Sequence, residues 1–261
     1  MIRFSNLNLF ALLAGIWITA ITADASAQPG PFRNAHAHND YEHKRPLFDA
    51  LQHGFMSVEA DIHLTDTGNL LVGHNRVDAE SPSLEKLYLR PLDSMIRVRG
   101  RIHPQSDIRF TLMIDLKTPG RETTEALRAI LKKYPSLKSE SDRVHIILSG
   151  NVPKDELLKA GIGQLLIDGR PSDLGKGIPA LQMPWISDRF SNWAGTSGGM
   201  VSRNGLRAIR TLADQVHAEG KLLRLWAIPD NPDCWKELMD SGVDLINTDR
   251  LQALSEFLSR H

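Results

Sequence analysis

The sequence predicts a single α/β domain folded as one (β/α)8 barrel of the TIM type. Apolar runs of strand length alternate with amphipathic helical segments about eight times along the chain. Polar side chains repeatedly end the predicted strands, which is where barrels of this type carry their functional groups. The chain has 261 residues, and one barrel of about 250 residues is a normal single domain.

The amino-terminal stretch resembles an export leader. Arg3 gives a short positive region, residues 7–20 are apolar, and Ala25-Ser26-Ala27 is a small-x-small cleavage site. The apolar run is short for a membrane span of about 20 residues. We therefore expect residues 1–27 to be a cleaved signal peptide and residues 28–261 to form the barrel. The mature protein is expected to be exported, periplasmic or secreted, with no integral membrane segment.

The charge balance argues against several classes of partner. Lys and Arg together number 31, as do Asp and Glu, so the formal net charge is zero. A neutral protein has no general electrostatic attraction to nucleic acid or to an anionic membrane. Cys234 is the only cysteine, which leaves no internal disulfide and excludes a CxxC zinc site.

The first elements form a β-α-β unit. Residues 33–38 are a predicted strand, a helix follows from Pro46 to its stop at Gly54, and residues 55–61 are the next strand. This spacing predicts parallel strands. A turn at residues 66–69 then leads to a short apolar run, residues 70–73, which is predicted as a further strand with His74 at its carboxyl end.

The remaining elements continue the alternation. Residues 76–107 are predicted to be an insertion with one helix near 83–89, and residues 191–202 a Gly/Ser-rich loop. Strands are predicted at 110–117, 144–148, 164–168, 179–187, 222–228 and 243–247, and helices at 119–134, 154–160, 204–219, 232–241 and 251–259.

Three acidic residues predict a metal site. Glu59 and Asp61 lie on the same face of one strand because side chains alternate with period two. Two adjacent carboxylates repel each other unless a cation lies between them, and Asp115 near the end of a later strand can supply a third oxygen. Such a set suits Mg²⁺ or Ca²⁺. The alternatives are an ion-paired barrel mouth and, for Asp115, a simple pair with Lys117.

Histidines flank these carboxylates in the sequence. His38 and His74 are the predicted catalytic general acid and base, since imidazole carries protons near neutral pH; the alternative is a hydrogen-bonded core histidine. Four further residues complete the predicted substrate-binding set. These are His36, which we place in a supporting position deeper in the strand, Asn39, Lys117, which can neutralise a phosphate, and Trp226, which can form the pocket floor.

These motifs resemble the glycerophosphodiester phosphodiesterase and phosphatidylinositol-specific phospholipase C superfamily. The matching segments are His38-Asn39, Ser57-Val58-Glu59-Ala60-Asp61, Leu71-Val72-Gly73-His74, Leu112 to Lys117, Leu225 to Ile228 and Gly242 to Asp249. Their order and spacing cover nearly the whole predicted mature chain. The form His36-Ala37-His38-Asn39-Asp40-Tyr41 is most similar to the "altered inheritance of mitochondria" branch.

The resemblance implies a TIM-type barrel, a divalent cation and cleavage of a small-molecule or lipid phosphodiester. It implies Glu59, Asp61 and Asp115 as metal ligands and two histidines as acid and base. The chain lacks the His-Arg-Gly of the glycerophosphodiester branch, so glycerophosphodiesters are not implied as substrates. Two other classes remain open. One is an amidohydrolase-type metallohydrolase using His36 and His38, and the other is an exported barrel that binds its ligand without turnover.

Overall fold

The computed structural model describes residues 29–104, 106–137, 143–161, 163–197 and 200–261; the predicted leader, residues 1–27, lies outside them. Eight parallel strands form a closed barrel, because the first strand pairs with both the second and the last. The barrel strands are β1 (Ala35–Ala37), β2 (Ser57–Leu64), β4 (Phe110–Leu116), β5 (Val144–Gly150), β6 (Leu165–Gly169), β7 (Trp185–Arg189), β10 (Leu222–Trp226) and β11 (Leu245–Thr248). The predicted (β/α)8 fold is confirmed.

Helices cover the outside of the barrel. They are α1 (Phe48–Gln52), α2 (Arg90–Arg99), α3 (Gly120–Leu131), α4 (Lys154–Ala160), α5 (Arg203–Ala218), α6 (Pro232–Asp240) and α7 (Leu251–Leu258). Side chains cap two of them: Ser202 accepts a hydrogen bond from the Gly205 amide, and Asn231 accepts one from the Cys234 amide. No helix among the described residues is long and apolar enough to cross a membrane.

Each barrel strand has two buried faces. The outward residues, such as Val58 and Ile114, join the large core beneath the helices. A separate apolar cluster of Met113, Ile147, Leu166, Trp185 and Leu245 forms a second core. Because side chains alternate along a strand, this second cluster is the inward set that fills the barrel.

Three local predictions differ from the structure. The short run before His74 is β3 (Leu70–Val72), which pairs antiparallel with β2 as a hairpin and is not a barrel strand. The helix of the insertion begins as a π-helical turn at Glu85–Leu89 and continues as α2, so it is longer than predicted. Strand β7 begins only at Trp185, because the Pro179 carbonyl accepts the amides of Gln182 and Met183 in a turn.

The predicted loop at residues 191–202 contains two short antiparallel strands, β8 (Thr196–Ser197) and β9 (Met200–Val201). The structure does not describe residues 198 and 199 between them.

Candidate active site

A cavity of about 320 Å³ opens at the carboxyl ends of the barrel strands. All predicted site residues except His36 line it. The full lining is His38, Asn39, Glu59, Asp61, His74, Asp115, Lys117, Ser149, Gly150, Arg170, Arg224 and Trp226. The fold therefore gathers groups from six barrel strands and the β2–β3 hairpin at one end of the barrel.

The three predicted metal ligands converge in this cavity. Glu59, Asp61 and Asp115 each offer one oxygen, and these atoms lie within 4.8 Å of one another. Lys117 Nζ lies 2.9 Å from Oδ2 of both Asp61 and Asp115, so the alternative ion pair is present as well. Among the described residues, however, Oδ1 of Asp61 and Oδ1 of Asp115 are buried without a hydrogen-bond partner. Buried carboxylate oxygens without a partner, in a cluster of three acidic side chains, are a donor set that fits a hard divalent cation.

The chain leaves space for Asp115 by placing a glycine next to it. A Cβ atom at Gly150 would lie 1.8 Å from Asp115 Oδ1, and the φ of Gly150 is +74°. Both the close approach and the left-handed backbone require glycine at this end of β5.

Glu59 is held ionised by a buried partner. Arg224 NH2 donates to Glu59 Oε2 at 2.9 Å, and the two side chains are only 3% and 7% exposed. Burial alone raises the pKa of Glu59, but the Arg224 charge and the His36 hydrogen bond outweigh it and lower the pKa to about 2. Glu59 is therefore a permanent anion at neutral pH.

The rest of the acidic cluster is short of positive charge. Burial raises the pKa of Asp61, and Lys117 compensates only in part because the Glu59 charge acts in the opposite direction. Burial lowers the pKa of Lys117, but its hydrogen bonds to Asp115 and Asp61 dominate and raise the pKa. One lysine thus serves two carboxylates, and an additional cation would relieve the remaining repulsion.

Each of the two predicted catalytic histidines is held by a carboxylate next to its Nδ1 atom. His38 Nδ1 lies 2.8 Å from Asp249 Oδ1, and His74 Nδ1 lies 3.0 Å from Asp61 Oδ2. Ionised carboxylates only accept hydrogen bonds, so Nδ1 carries the hydrogen in each ring and Nε2 is available for proton transfer. Burial lowers the pKa of His38, but the Asp249 hydrogen bond outweighs burial and raises it.

His36 is the one predicted site residue that does not line the cavity. Its side chain is fully buried below the cavity, where Nδ1 lies 2.6 Å from Ser57 Oγ and Nε2 lies 3.4 Å from Glu59 Oε2. Burial and the Arg224 charge lower the pKa of His36 to about 4. The ring is enclosed and contacts Glu59, which agrees with the supporting position deeper in the strand that the sequence predicts.

Residues that sequence reasoning missed support the site from the loops that follow the strands. The Tyr41 hydroxyl lies 2.9 Å from Asp61 Oδ2 and 3.0 Å from Asn39 Oδ1. Arg170 donates to Asp168 Oδ2 at 2.9 Å. The one sequence signal for Arg224 was a charged residue inside a leucine-rich strand, two positions before Trp226. Alternation places both on the inner face.

Asn39 directs the chain away from the site. Its backbone is left-handed (φ 45°, ψ 43°), a conformation that asparagine tolerates better than most residues. The next residue, Asp40, is buried, and its Oδ2 accepts from the Leu47 amide at 2.6 Å and from the Tyr88 hydroxyl at 2.9 Å. Burial raises the pKa of Asp40 to about 7 despite these bonds. Asp40 therefore fixes the first loop rather than joining the acidic cluster.

Comparison of the sequence with known proteins identifies its family. Residues 24–159 match the model of the AIM6-like phosphodiesterase domain. Relatives include "Altered inheritance of mitochondria protein 6" of Eremothecium gossypii, 27% identical over 85% of this chain and 68% of that protein. The same-named protein of Lachancea thermotolerans is 25% identical over 92% of this chain and 68% of that protein.

Solved structures agree on the fold. A phosphodiesterase of Oleispira antarctica, in complex with the product sn-glycerol-3-phosphate, has 15% identity and a TM-score of 0.55, covering 87% of this chain and 97% of that one. A glycerophosphodiester phosphodiesterase of Agrobacterium tumefaciens has 16% identity and a TM-score of 0.53, covering 87% and 100%. At these sequence identities the similarity shows a shared fold only.

The barrel is of the (β/α)8 class found in these structural neighbours, and it carries an acidic cluster at the carboxyl ends of its strands. Within that class, the chain belongs to the AIM6-like phosphodiesterase domain family, whose model matches just over half of its length.

Proposed function

We propose that this protein is a metal-dependent phosphoric diester hydrolase that acts on a small-molecule or lipid phosphodiester. The observation that carries the proposal is the pairing of two kinds of group in one cavity. The carboxylates of Glu59, Asp61 and Asp115 converge, and Oδ1 of both aspartates has no hydrogen-bond partner among the described residues. Two histidines are oriented by carboxylates so that Nε2 of each is available.

The cation that fits the carboxylates is Mg²⁺ or Ca²⁺, held by Glu59, Asp61 and Asp115. When bound, it supplies positive charge against the negative charge that grows on the phosphoryl oxygens during displacement. The protein's own contribution is to keep Glu59 ionised through Arg224, so that one ligand requires no deprotonation at neutral pH.

Proton transfer is assigned to the two histidines. One Nε2 accepts a proton from the attacking hydroxyl, either of water or of the substrate, and the other donates a proton to the leaving alkoxide. Asp249 holds His38 and Asp61 holds His74, so each ring has its reacting nitrogen fixed before substrate arrives. If the substrate's own hydroxyl attacks, the first product is a cyclic phosphate.

Three side chains are proposed to bind the substrate. Lys117 and Arg170 bring positive charge to the cavity wall, where they can hold phosphoryl oxygens. Arg170 is anchored by the buried Asp168 and by Ser149. It is a candidate to replace the arginine of the absent His-Arg-Gly motif. Trp226 presents an apolar surface for the rest of the substrate, with the Arg189 guanidinium carbon 5.4 Å from its ring centroid.

The competing functions make different demands on the site. An amidohydrolase would need His36 and His38 on one metal, whereas His36 is buried against Ser57 and Glu59. In the described part of the chain, the only cluster with metal-ligand spacing contains three carboxylates and no histidine. A binding barrel without turnover would use the acids but would not need His38 or His74.

The test is hydrolysis of bis(p-nitrophenyl) phosphate by the purified protein, first with EDTA and then with Mg²⁺, Ca²⁺ or Mn²⁺ restored. We expect turnover only with metal, and a loss of about 10²- to 10⁴-fold in His38→Gln and His74→Gln, the usual contribution of a general acid or base. Asp61→Asn should abolish the metal response. His43→Gln, outside the cavity, is the matched control.

A diester with a hydroxyl next to the phosphate should be tested in parallel. Turnover of that compound alone would indicate attack by the substrate's own hydroxyl. Unchanged turnover in both histidine variants would contradict the acid–base assignment, and metal binding without turnover of either compound would favour the binding barrel.

A further inference from the structure

A second cavity, of about 470 Å³, opens at the opposite end of the barrel, where the strands begin. Its size is within the range of small-molecule sites, roughly 300–1,000 Å³. None of the predicted catalytic or metal-binding residues lines it, so the proposed diesterase reaction does not account for it.

Two adjacent strands contribute small side chains to the inner face of the barrel beside this cavity. Bulky branched residues usually fill the interior of a TIM barrel. Here Ser57, the first residue of β2, pairs with Thr111, the second residue of β4, and both line the cavity together with Gly163 and Gly220. The opening therefore reaches Leu166, Trp185 and Leu245 of the inner apolar cluster, which form an apolar inner wall.

The mouth of this cavity combines positive charge with exposed apolar surface. Among the described residues that line it, Arg33, Arg109 and His145 carry basic groups, and none carries a carboxylate. Burial and the Arg109 charge lower the pKa of His145 to about 4, so at neutral pH the positive charge comes from the arginines. Leu181 (71% exposed) and Leu222 (41%) also line it, and they are two of the four large exposed hydrophobic residues in the described chain.

The two cavities are separate. Met113 and Ile147 are fully buried members of the inner cluster and line neither one. His36 lies between them, with Trp185 edge-on at 5.7 Å and Glu59 on the other side. A ligand at the amino-terminal end would contact different residues from a ligand at the acidic cluster.

We propose that the amino-terminal end of the barrel is a binding site for a soluble single-chain amphiphilic anion, with its apolar chain against Leu166, Trp185 and Leu245 and its anionic head near Arg33. The positive charge of the arginines at the mouth favours an anionic head group, because a cationic head group would be repelled. The apolar inner wall favours a ligand with an apolar chain, because that chain is removed from water when it enters the cavity.

Isothermal titration calorimetry of the purified protein with decanoate, below its micelle concentration, tests the proposal. We expect saturable binding. Butyrate, with the same head and a short chain, and decyltrimethylammonium, with the same chain and the opposite charge, should each bind at least about tenfold more weakly. Binding to phosphatidylglycerol vesicles is measured in parallel, because these vesicles present an anionic head group on a membrane surface.

Variants at the mouth locate the site. Arg33→Glu should weaken decanoate binding about five- to tenfold, and Leu181→Asp should weaken it further. The matched controls Arg99→Glu and Val98→Asp, both exposed on α2, should bind as the wild type does. Asp115→Asn should also leave decanoate binding unchanged, which separates this site from the acidic cluster.

Three results would overturn the proposal. The first is no binding of decanoate, and the second is equal affinity in the wild type, Arg33→Glu and Leu181→Asp. The third is binding to vesicles without binding of monomeric decanoate, which would assign this face to a membrane surface.

Discussion

Replacing Arg224 with methionine tests the electrostatic support of the site directly. The guanidinium donates to Glu59 Oε2 at 2.9 Å and to Asn247 Oδ1 at 2.9 Å, and its other nitrogen lies 3.8 Å from Asp168. Arg224 is 3% exposed, so water cannot replace it without rearrangement. Arg224→Met would leave the buried carboxylate of Glu59 without its main cation, whereas Asp168 would keep its closer partner Arg170.

Two estimates of the cost agree. Breaking a buried ion pair by removing one partner costs about 3–5 kcal/mol. The pKa of Glu59 is lowered from 4.5 to about 2, and a shift of that size corresponds to about 3 kcal/mol at neutral pH. Because the folded pKa lies below the unfolded value, this stabilisation is complete above about pH 4.5 and is lost as the pH falls towards 2.

The assay is urea unfolding followed by circular dichroism, in EDTA, at pH 7 and at pH 4. We expect Arg224→Met to lower the free energy of unfolding by about 3 kcal/mol or more at pH 7. At pH 4 the loss should be smaller, because without Arg224 burial raises the pKa of Glu59 and the variant can protonate this carboxyl, which removes the uncompensated charge. Arg203→Met, exposed at the start of α5, should change stability little.

A double variant completes the test. Adding Glu59→Gln to Arg224→Met removes the uncompensated charge and should recover part of the lost stability. A loss below about 1 kcal/mol, or an equal loss at both pH values, would refute the view that Arg224 exists to compensate Glu59.

Two further predictions follow from single contacts. Asp249→Ala removes the hydrogen bond that raises the pKa of His38, so burial should prevail and the pKa should fall. NMR titration of the imidazole measures this change, and an unchanged or higher pKa would contradict the assigned contact. Gly150→Ala places a Cβ 1.8 Å from Asp115 Oδ1 and should weaken Mg²⁺ binding about tenfold or more by calorimetry. Gly161→Ala has similar backbone strain (φ +80°) in open space, and equal Mg²⁺ affinities in the two variants would show that the contact is irrelevant.

The sequence predicted those parts of the site that depend on local periodicity. Glu59 and Asp61 share a face because alternation along one strand is fixed, and the parallel register pairs Asp61 with Asp115 on the adjacent strand. The fold class was predictable for the same reason. Strand-helix alternation is a repeated local signal, and the rules of parallel connection leave few topologies.

The supporting contacts could not be predicted in the same way. Glu59 and Arg224 are 165 residues apart, and His38 and Asp249 are 211 apart. These pairs meet only because the barrel closes, and closure depends on the register of all eight strands together. Sequence reasoning identified Trp226 but missed Arg224, since a single charge in an apolar strand does not indicate its partner.

His74 is carried by the β2–β3 hairpin rather than by a barrel strand. The hairpin returns antiparallel along the end of β2, with Ile62 opposite Val72, and brings His74 level with Asp61. The position of this histidine therefore depends on a turn at the rim and not on the register that closes the barrel. Lengthening or shortening that turn would move His74, one of the two proposed proton carriers, relative to His38 while the carboxylates stay in place. A redesign of the proposed substrate site could therefore begin at the rim without altering the barrel core.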